Sequence, residues 1–178
     1  MRKTKNIQEC AKFYESLLKK EFIVTLENGM AFSFYFRREN FYHLLGLHKL
    51  TDIQQLQNPN RALIYKEIKN GKLSYLTIQN SKFYNRISER INYFDHISAL
   101  LNKEHSKIIV EFDPDIVSNT HLKNTRFIFY KHETTGYSLL TIGKIKYFYP
   151  ETFMYENSKR YLTGQKFLNV INIEIKQK

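Results

Sequence analysis

TRFIFYKHETTGYSLLTIGKIKYFYPETFMY, from Thr125 to Tyr155, decides the fold. In it Phe127, Phe129 and Lys131 alternate with Ile128, Tyr130 and His132, the period of two that sends successive side chains to opposite faces of a strand. Two more strand-like runs follow, GYSLLTIGKI and KYFYPETFMY, with the glycine of GKIKYFYP reading as a turn. Working outward, KIIVEF (107–112) and FLNVINIEIK (167–176) bring the strand-like runs after Lys103 to five. The DPD of Asp113–Asp115 reads as a turn at a strand end.

Upstream of Lys103 the spacing is helical. Ile7, Cys10, Ala11, Tyr14, Leu17 and Leu18 recur at helical intervals between about 6 and 20. EFIVTLENGMAFSFYF (21–36) is then a hairpin around Asn28-Gly29, the pair best suited to positive φ angles. Asn40 is placed to cap a short helix through His43 and Leu44 that Gly46 ends, and Thr51 to cap another brief turn. A helical pattern from Asn60 to Ile68 stops at Asn70-Gly71. From Leu73 to Asn102 the spacing predicts one or two helices, with Phe83, Ile87, Ile91, Phe94, Ile97, Leu100 and Leu101 on one side and Arg86, Glu89 and Arg90 largely elsewhere. Helices first and a strand meander after predict an α+β fold: a helical N-terminal half with a short β-hairpin, packed on a curved antiparallel sheet in the C-terminal half. No linker or repeat divides the chain, so 1–178 reads as one domain, with 1–36 as a candidate helix and hairpin subdomain.

The chain has 178 residues and a formal net charge of +11. So cationic a surface attracts polyanions, and nucleic acid is the first partner to consider; lysine-rich composition from an AT-rich genome gives the same excess. No segment approaches the roughly 18 apolar residues of a membrane helix. The amino terminus reads as an amphipathic helix rather than a signal peptide. Cys10 stands alone, which removes an internal disulfide and a cysteine-based zinc site. A cytoplasmic protein with no membrane partner is the expectation.

The six histidines form no familiar ligand cluster, and His43 and His48 are five apart, a poor match to ligand pairing on one helix face. No metal and no cofactor are expected. Phosphate-binding glycine loops and a nucleophile elbow are absent. What remains is acid–base chemistry on a cationic surface. RNA carries its own nucleophile, the 2′-hydroxyl, so cleavage needs a base, an acid and charge stabilisation at the phosphorane. His43 suits either proton role by its intrinsic pKa. Arg37, Arg38 and Lys131 are candidates for the positive charge, and Thr152 for a hydrogen bond to a phosphate oxygen. Tyr130, Tyr147 and Tyr149 offer faces on which bases stack. Arg126, Lys144, Lys146 and Arg160 are the other RNA-binding candidates. Against all this, His43 lies between Tyr42 and Leu44, where a hydrogen-bonded core histidine is an equal reading.

NFYHLLGLHKL, then TRFIFYK, then YFYPETFMYENSKRYLTGQ, in that order, resemble a phage- and mobile-element-associated family of the barnase–EndoU–colicin–RelE-like (BECR) nucleases, closest to the fourth phage BECR group. The resemblance runs from about Phe22 to Ile175. It implies RNA entering across the sheet, and it matches His43 to a helix histidine, Lys131 to a strand lysine and Thr152 to a late-strand threonine. It further implies a metal-independent endoribonuclease that leaves a 2′,3′-cyclic phosphate. Three functional classes follow. One is a toxin or phage effector cutting structured RNA or tRNA, with an immunity protein as partner. Another is an anti-CRISPR protein that cleaves or captures the guide RNA of a Cas9 ribonucleoprotein. The third is an RNA-binding module that has kept the fold without catalysis.

Overall fold

The computed structural model describes residues 5–177; the basic head of the amphipathic N-terminal segment, residues 1–4, lies outside them. Asn6 starts the first helix, α1 (Ile7–Glu15). Its side chain accepts from the Glu9 amide while the Glu9 carboxylate accepts from the Asn6 amide, so two otherwise orphaned donors are satisfied. Strands β1 (Lys20–Leu26) and β2 (Ala31–Tyr35) form the expected hairpin, with Gly29 at φ +82° in its turn.

Helix α2 (Asn40–Leu44) follows, but Asn40 does not cap it. Its side chain turns back to accept from the Arg37 amide at 2.8 Å, and it is instead the first residue of the helix. Gly46, at φ +71°, ends that segment as the sequence suggests. Single 3₁₀ turns at Leu47–Lys49 and Gln54–Gln57 lead to α3 (Arg61–Lys69), which Asn60 caps.

Between Leu73 and Asn102 the expected one or two helices are three short ones, α4 (Tyr75–Gln79), α5 (Ser88–Tyr93) and α6 (His96–Leu100), with a 3₁₀ turn at Tyr84–Arg86. Each break resets the helical phase. Arg90, set apart from the apolar side by its charge, lies three residues after Ile87 and so on the same side of the helix, and it is buried beside Ile91 with 8% of its surface exposed.

All five C-terminal runs are strands: β3 (Ile108–Glu111), β4 (Thr125–His132), β5 (Tyr137–Lys144), β6 (Phe148–Glu156) and β7 (Lys166–Gln177). The glycine read as a turn, Gly143, lies inside β5, paired with Tyr149. Hairpin and meander form one antiparallel sheet in the order β2-β1-β7-β3-β4-β5-β6, because the long β7 bonds β1 on one side and β3 on the other. The sheet curls into a half-barrel. Phe32 of edge strand β2 stacks on Phe127 of β4 at 4.4 Å and meets Phe148 of the opposite edge strand, β6, at 4.9 Å. Only curvature brings rings from the two edges of seven strands into contact.

The helices pack on the face that carries Phe22, Phe34, Phe129 and Phe153, and Tyr14, Phe41 and Phe94 fill the space between. A smaller core of Val110, Ile128, Leu139 and Met154 lies on the other face, under Phe112, Val117, Leu122 and Leu162. The middle strands are thus covered on both sides, so the path across the sheet that the family resemblance implied is filled there with side chains. No helix among the described residues is long and apolar enough to cross a membrane.

Candidate active site

Helix α2 lies against edge strand β6, and this is where the chemistry-bearing side chains gather. Tyr42 and Leu44 point into the core, while His43 between them is exposed. The core-histidine reading of His43 therefore fails. One helical turn carries its neighbours inward and its own ring outward. Its ring lies 5.7 Å from that of His48. Helix phase would not bring residues five apart together; the left-handed Gly46 between them reverses the chain and does so.

Both rings favour the neutral form. Burial, then the Arg61 guanidinium, hold His43 below the ordinary histidine value. His48 is pushed down to about 4 by burial, then by His43, Arg90, Lys49 and Arg61. Arg61 is fixed for this role: its guanidinium covers the Tyr42 ring at 3.9 Å and donates to the carbonyls of Leu56 and Asn58 at 3.0 and 2.6 Å.

Thr152, on β6, reaches this cluster from beneath. Its hydroxyl accepts from the buried Arg90 guanidinium at 2.8 Å and donates to the His43 carbonyl at 3.4 Å. Arg90 also approaches the Leu44 carbonyl at 3.4 Å and packs under Gly46, where a Cβ would sit 3.1 Å from it. Burial lowers the Arg90 pKa to about 10, with Glu156 and Tyr161 acting in the opposite direction. Burial raises Glu156 against the pull of Arg90, Arg160 and Lys49, and lowers Lys49. The cluster is thus two imidazoles whose neutral forms are favoured, beside three cations, Arg61, Arg90 and Lys49, with Glu156 as their acidic neighbour.

Lys131 is elsewhere. It pairs across β5 with Ser138, which pairs with Tyr155 of β6, three residues beyond Thr152. Two strand spacings and three residues along a strand put its backbone on the order of 13 Å from that of Thr152. Lys131 instead meets Glu133 at 3.3 Å, in a second polar cluster where His96 Nδ1 lies 2.6 Å from the same Glu133 oxygen and 3.2 Å from the Ser138 hydroxyl.

The RNA-binding candidates also divide. Arg37 covers the Tyr35 ring, and Arg38 is exposed at the end of the hairpin. Tyr130 is half-buried against the smaller core and Phe167, which takes its ring away from solvent. Arg160 is tied to the carbonyls of Ser118 and Asn119. Arg126, Lys144, Lys146 and Tyr149 gather near the β5–β6 turn.

Sequence reasoning missed Arg61, Arg90 and Glu156. Its charge set Arg90 off the apolar side of its helix, and the pattern gave Arg61 and Glu156 no role. Only the Tyr-Pro-x-Thr-Phe element at 149–153 hinted that β6 would matter. Among the described residues no three His, Cys, Asp or Glu side chains converge as a metal-binding group.

No curated protein and no solved structure matches the chain. A family model does, over residues 6–177, with the description phage-Barnase-EndoU-ColicinE5/D-RelE like nuclease4. The curled antiparallel sheet with its short helices is consistent with that fold, and the chain belongs to this family of BECR-type nucleases, enzymes that cleave phosphodiester bonds.

Proposed function

We propose that this nuclease is an endoribonuclease whose proton chemistry is carried by its own side chains, without a metal, and that His43 is the general base. The 2′-oxygen attacks phosphorus and gives its proton to the His43 imidazole. The bond from phosphorus to O5′ breaks, leaving a 2′,3′-cyclic phosphate and a free 5′-hydroxyl once O5′ has taken a proton. His48, one ring away, is positioned to deliver that proton. The anionic phosphorane raises the proton affinity of both rings, so a pair that is neutral in the free protein takes up a proton when substrate binds.

One observation carries the reading. Two imidazoles that reach solvent stand 5.7 Å apart, and burial first, then the cations that a phosphodiester would also need, favour their neutral forms. A neutral ring accepts a proton; Arg61 and Lys49 supply field for the anion. Arg90 and Thr152 are positioning residues here, since they hold the His43 and Leu44 carbonyls rather than reaching outward.

The test is RNA digestion in excess EDTA followed by analysis of the ends. The reading predicts EDTA-resistant cutting, with cyclic phosphate at the 3′ end and hydroxyl at the 5′ end. Cutting that stops in EDTA, or that leaves 5′-phosphate, contradicts it. Structured RNA, tRNA and guide RNA are the substrates to compare first.

A further inference from the structure

Two clefts meet at the β5–β6 turn. One, of about 770 Å³, is lined by Met30, Phe112, Arg126, Lys144 and Lys166. The other, of about 300 Å³, is lined by Tyr35, Arg37, Asn40, Lys146, Tyr147 and Tyr149. Ile145 and Phe148 line both, so the two are continuous around the turn.

The groove alternates apolar faces with cations. Lys144 lies over the Phe148 ring at 4.8 Å, Lys146 over Tyr147 at 5.5 Å and Arg37 over Tyr35 at 4.8 Å. Ile145 and Tyr147 are 74% and 69% exposed, large apolar surfaces with little packed on them. Tyr149 lies across Gly143 so closely that a Cβ there would be 2.7 Å from the ring, so the glycine makes room for this tyrosine. Of the acidic lining groups, Glu111 is paired with Lys166 at 2.7 Å, Asp113 accepts from the Asp115 amide at 2.9 Å, and Glu39 lies beside Arg37. Among the described residues no carboxylate forms an ion pair with Arg126, Lys144 or Lys146. Asn40, in the groove wall, opens α2, and His43 stands one turn further on, on the same side of that helix.

We infer that this groove binds unpaired nucleotides flanking the scissile bond, with bases stacked on Tyr147 and Tyr149 and phosphates held by Lys144, Lys146 and Arg126. The inference rests on the nuclease reading above for the location of the scissile bond. It selects single-stranded RNA, because a base already stacked within a duplex has no free face for an aromatic side chain. A concave, cation-walled groove also suits a strand better than a flat bilayer surface, which asks for a continuous apolar face.

The experiment uses a fluorescent 12-mer of 2′-O-methyl RNA, which lacks the attacking hydroxyl. Binding is therefore read apart from cleavage, and failure of either reading is visible without the other. Fluorescence anisotropy compares the single strand, its duplex, and vesicles of phosphatidylserine and phosphatidylcholine. The expected result is at least tenfold preference for the single strand. Three neutralised phosphates give a slope of log K against log salt near −2, at roughly −0.7 per phosphate. Tyr147→Ala, at an exposed position that the fold does not need, weakens binding roughly fivefold or more. Equal affinity for duplex, unchanged affinity in Tyr147→Ala, or Tyr147-dependent binding to vesicles in place of RNA each overturns the inference, even if RNA is cut.

Discussion

Replacing Arg90 with methionine separates stability from function. The side chain is buried, and the drop of its pKa from the ordinary 12.5 to about 10 corresponds to a burial cost of about 3 kcal/mol. Against this stands a charge-assisted bond to Thr152 at 2.8 Å, with a net contribution of about 1.5–3 kcal/mol. The 3.4 Å approach to the Leu44 carbonyl is too long to add much. Methionine keeps the volume under Gly46, and Thr152 keeps the His43 carbonyl as a partner. The two terms nearly cancel, as they often do when a buried charge is exchanged for an apolar side chain of similar size. Arg90→Met therefore changes unfolding free energy by less than about 1 kcal/mol, which is under roughly 4 °C in Tm for a chain of this length. Activity behaves differently. Without the guanidinium the Thr152 hydroxyl beneath His43 loses the donor that fixes it, and His48 loses one of the charges that, after burial, lower its pKa. The assay is urea unfolding beside NMR titration of the histidines and RNA cleavage. The expected outcome is an unchanged urea midpoint, a higher His48 pKa and a fall in kcat/KM of about tenfold or more, the loss of roughly 1.4 kcal/mol of transition-state stabilisation. A large loss of stability would refute the burial argument, and an unmoved His48 titration with full activity would remove Arg90 from the site.

Other outcomes follow from single contacts. Gly143→Ala forces the Tyr149 ring aside and lowers stability by about 1–3 kcal/mol in urea unfolding, a loss that Tyr149→Ala in the same chain partly restores. Gly46→Ala strains a residue at φ +71° and presses on the Arg90 guanidinium, lowering stability by about 1–2 kcal/mol and activity with it. Acid destabilises the fold through His48: with a folded pKa of about 4 and an unfolded value near 6.5, stability is complete above pH 6.5 and declines as pH falls towards 4. Because this ring is buried on one side only and meets solvent on the other, screening reduces the effect to about 1 kcal/mol, which His48→Gln removes in urea titrations at several pH values.

The strands were legible because alternation survives whatever the sheet does around it; all five C-terminal runs and the Asn28-Gly29 hairpin lie where their patterns put them. What alternation does not carry is order. The junction of hairpin and meander is made by β7, the last strand, whose backbone bonds to β1 and β3 leave no mark on its side-chain pattern. The region 73–102 misled because its apolar residues keep helical spacing across two breaks that neither proline nor glycine announces. Arg90 was concealed by its charge instead, since three residues after Ile87 it falls on the apolar side of the same helix. His43 and Thr152 were candidates by residue type and were matched by the family resemblance, but their contact across 109 residues left no mark in the local pattern. Lys131, named by the same resemblance, sits at the far end of β4 with Glu133 and His96. His48 was in plain view, but its approach to His43 depends on the left-handed turn at Gly46 rather than on helix phase.

The central claim is that His43 takes the proton from the 2′-hydroxyl, and its most direct test is the pH profile of kcat/KM on RNA for the wild-type chain and for His43→Ala. Because both rings are held below the ordinary histidine value and cleavage needs one neutral and one protonated, the wild-type rate rises with pH along an acid limb below about 6.5 and falls again as the acid, His48, loses its proton. His43→Ala, exposed and therefore folded, loses that limb and at least about 100-fold in rate, the usual contribution of a positioned base. A folded His43→Ala that cuts RNA at the wild-type rate with the same acid limb would contradict it.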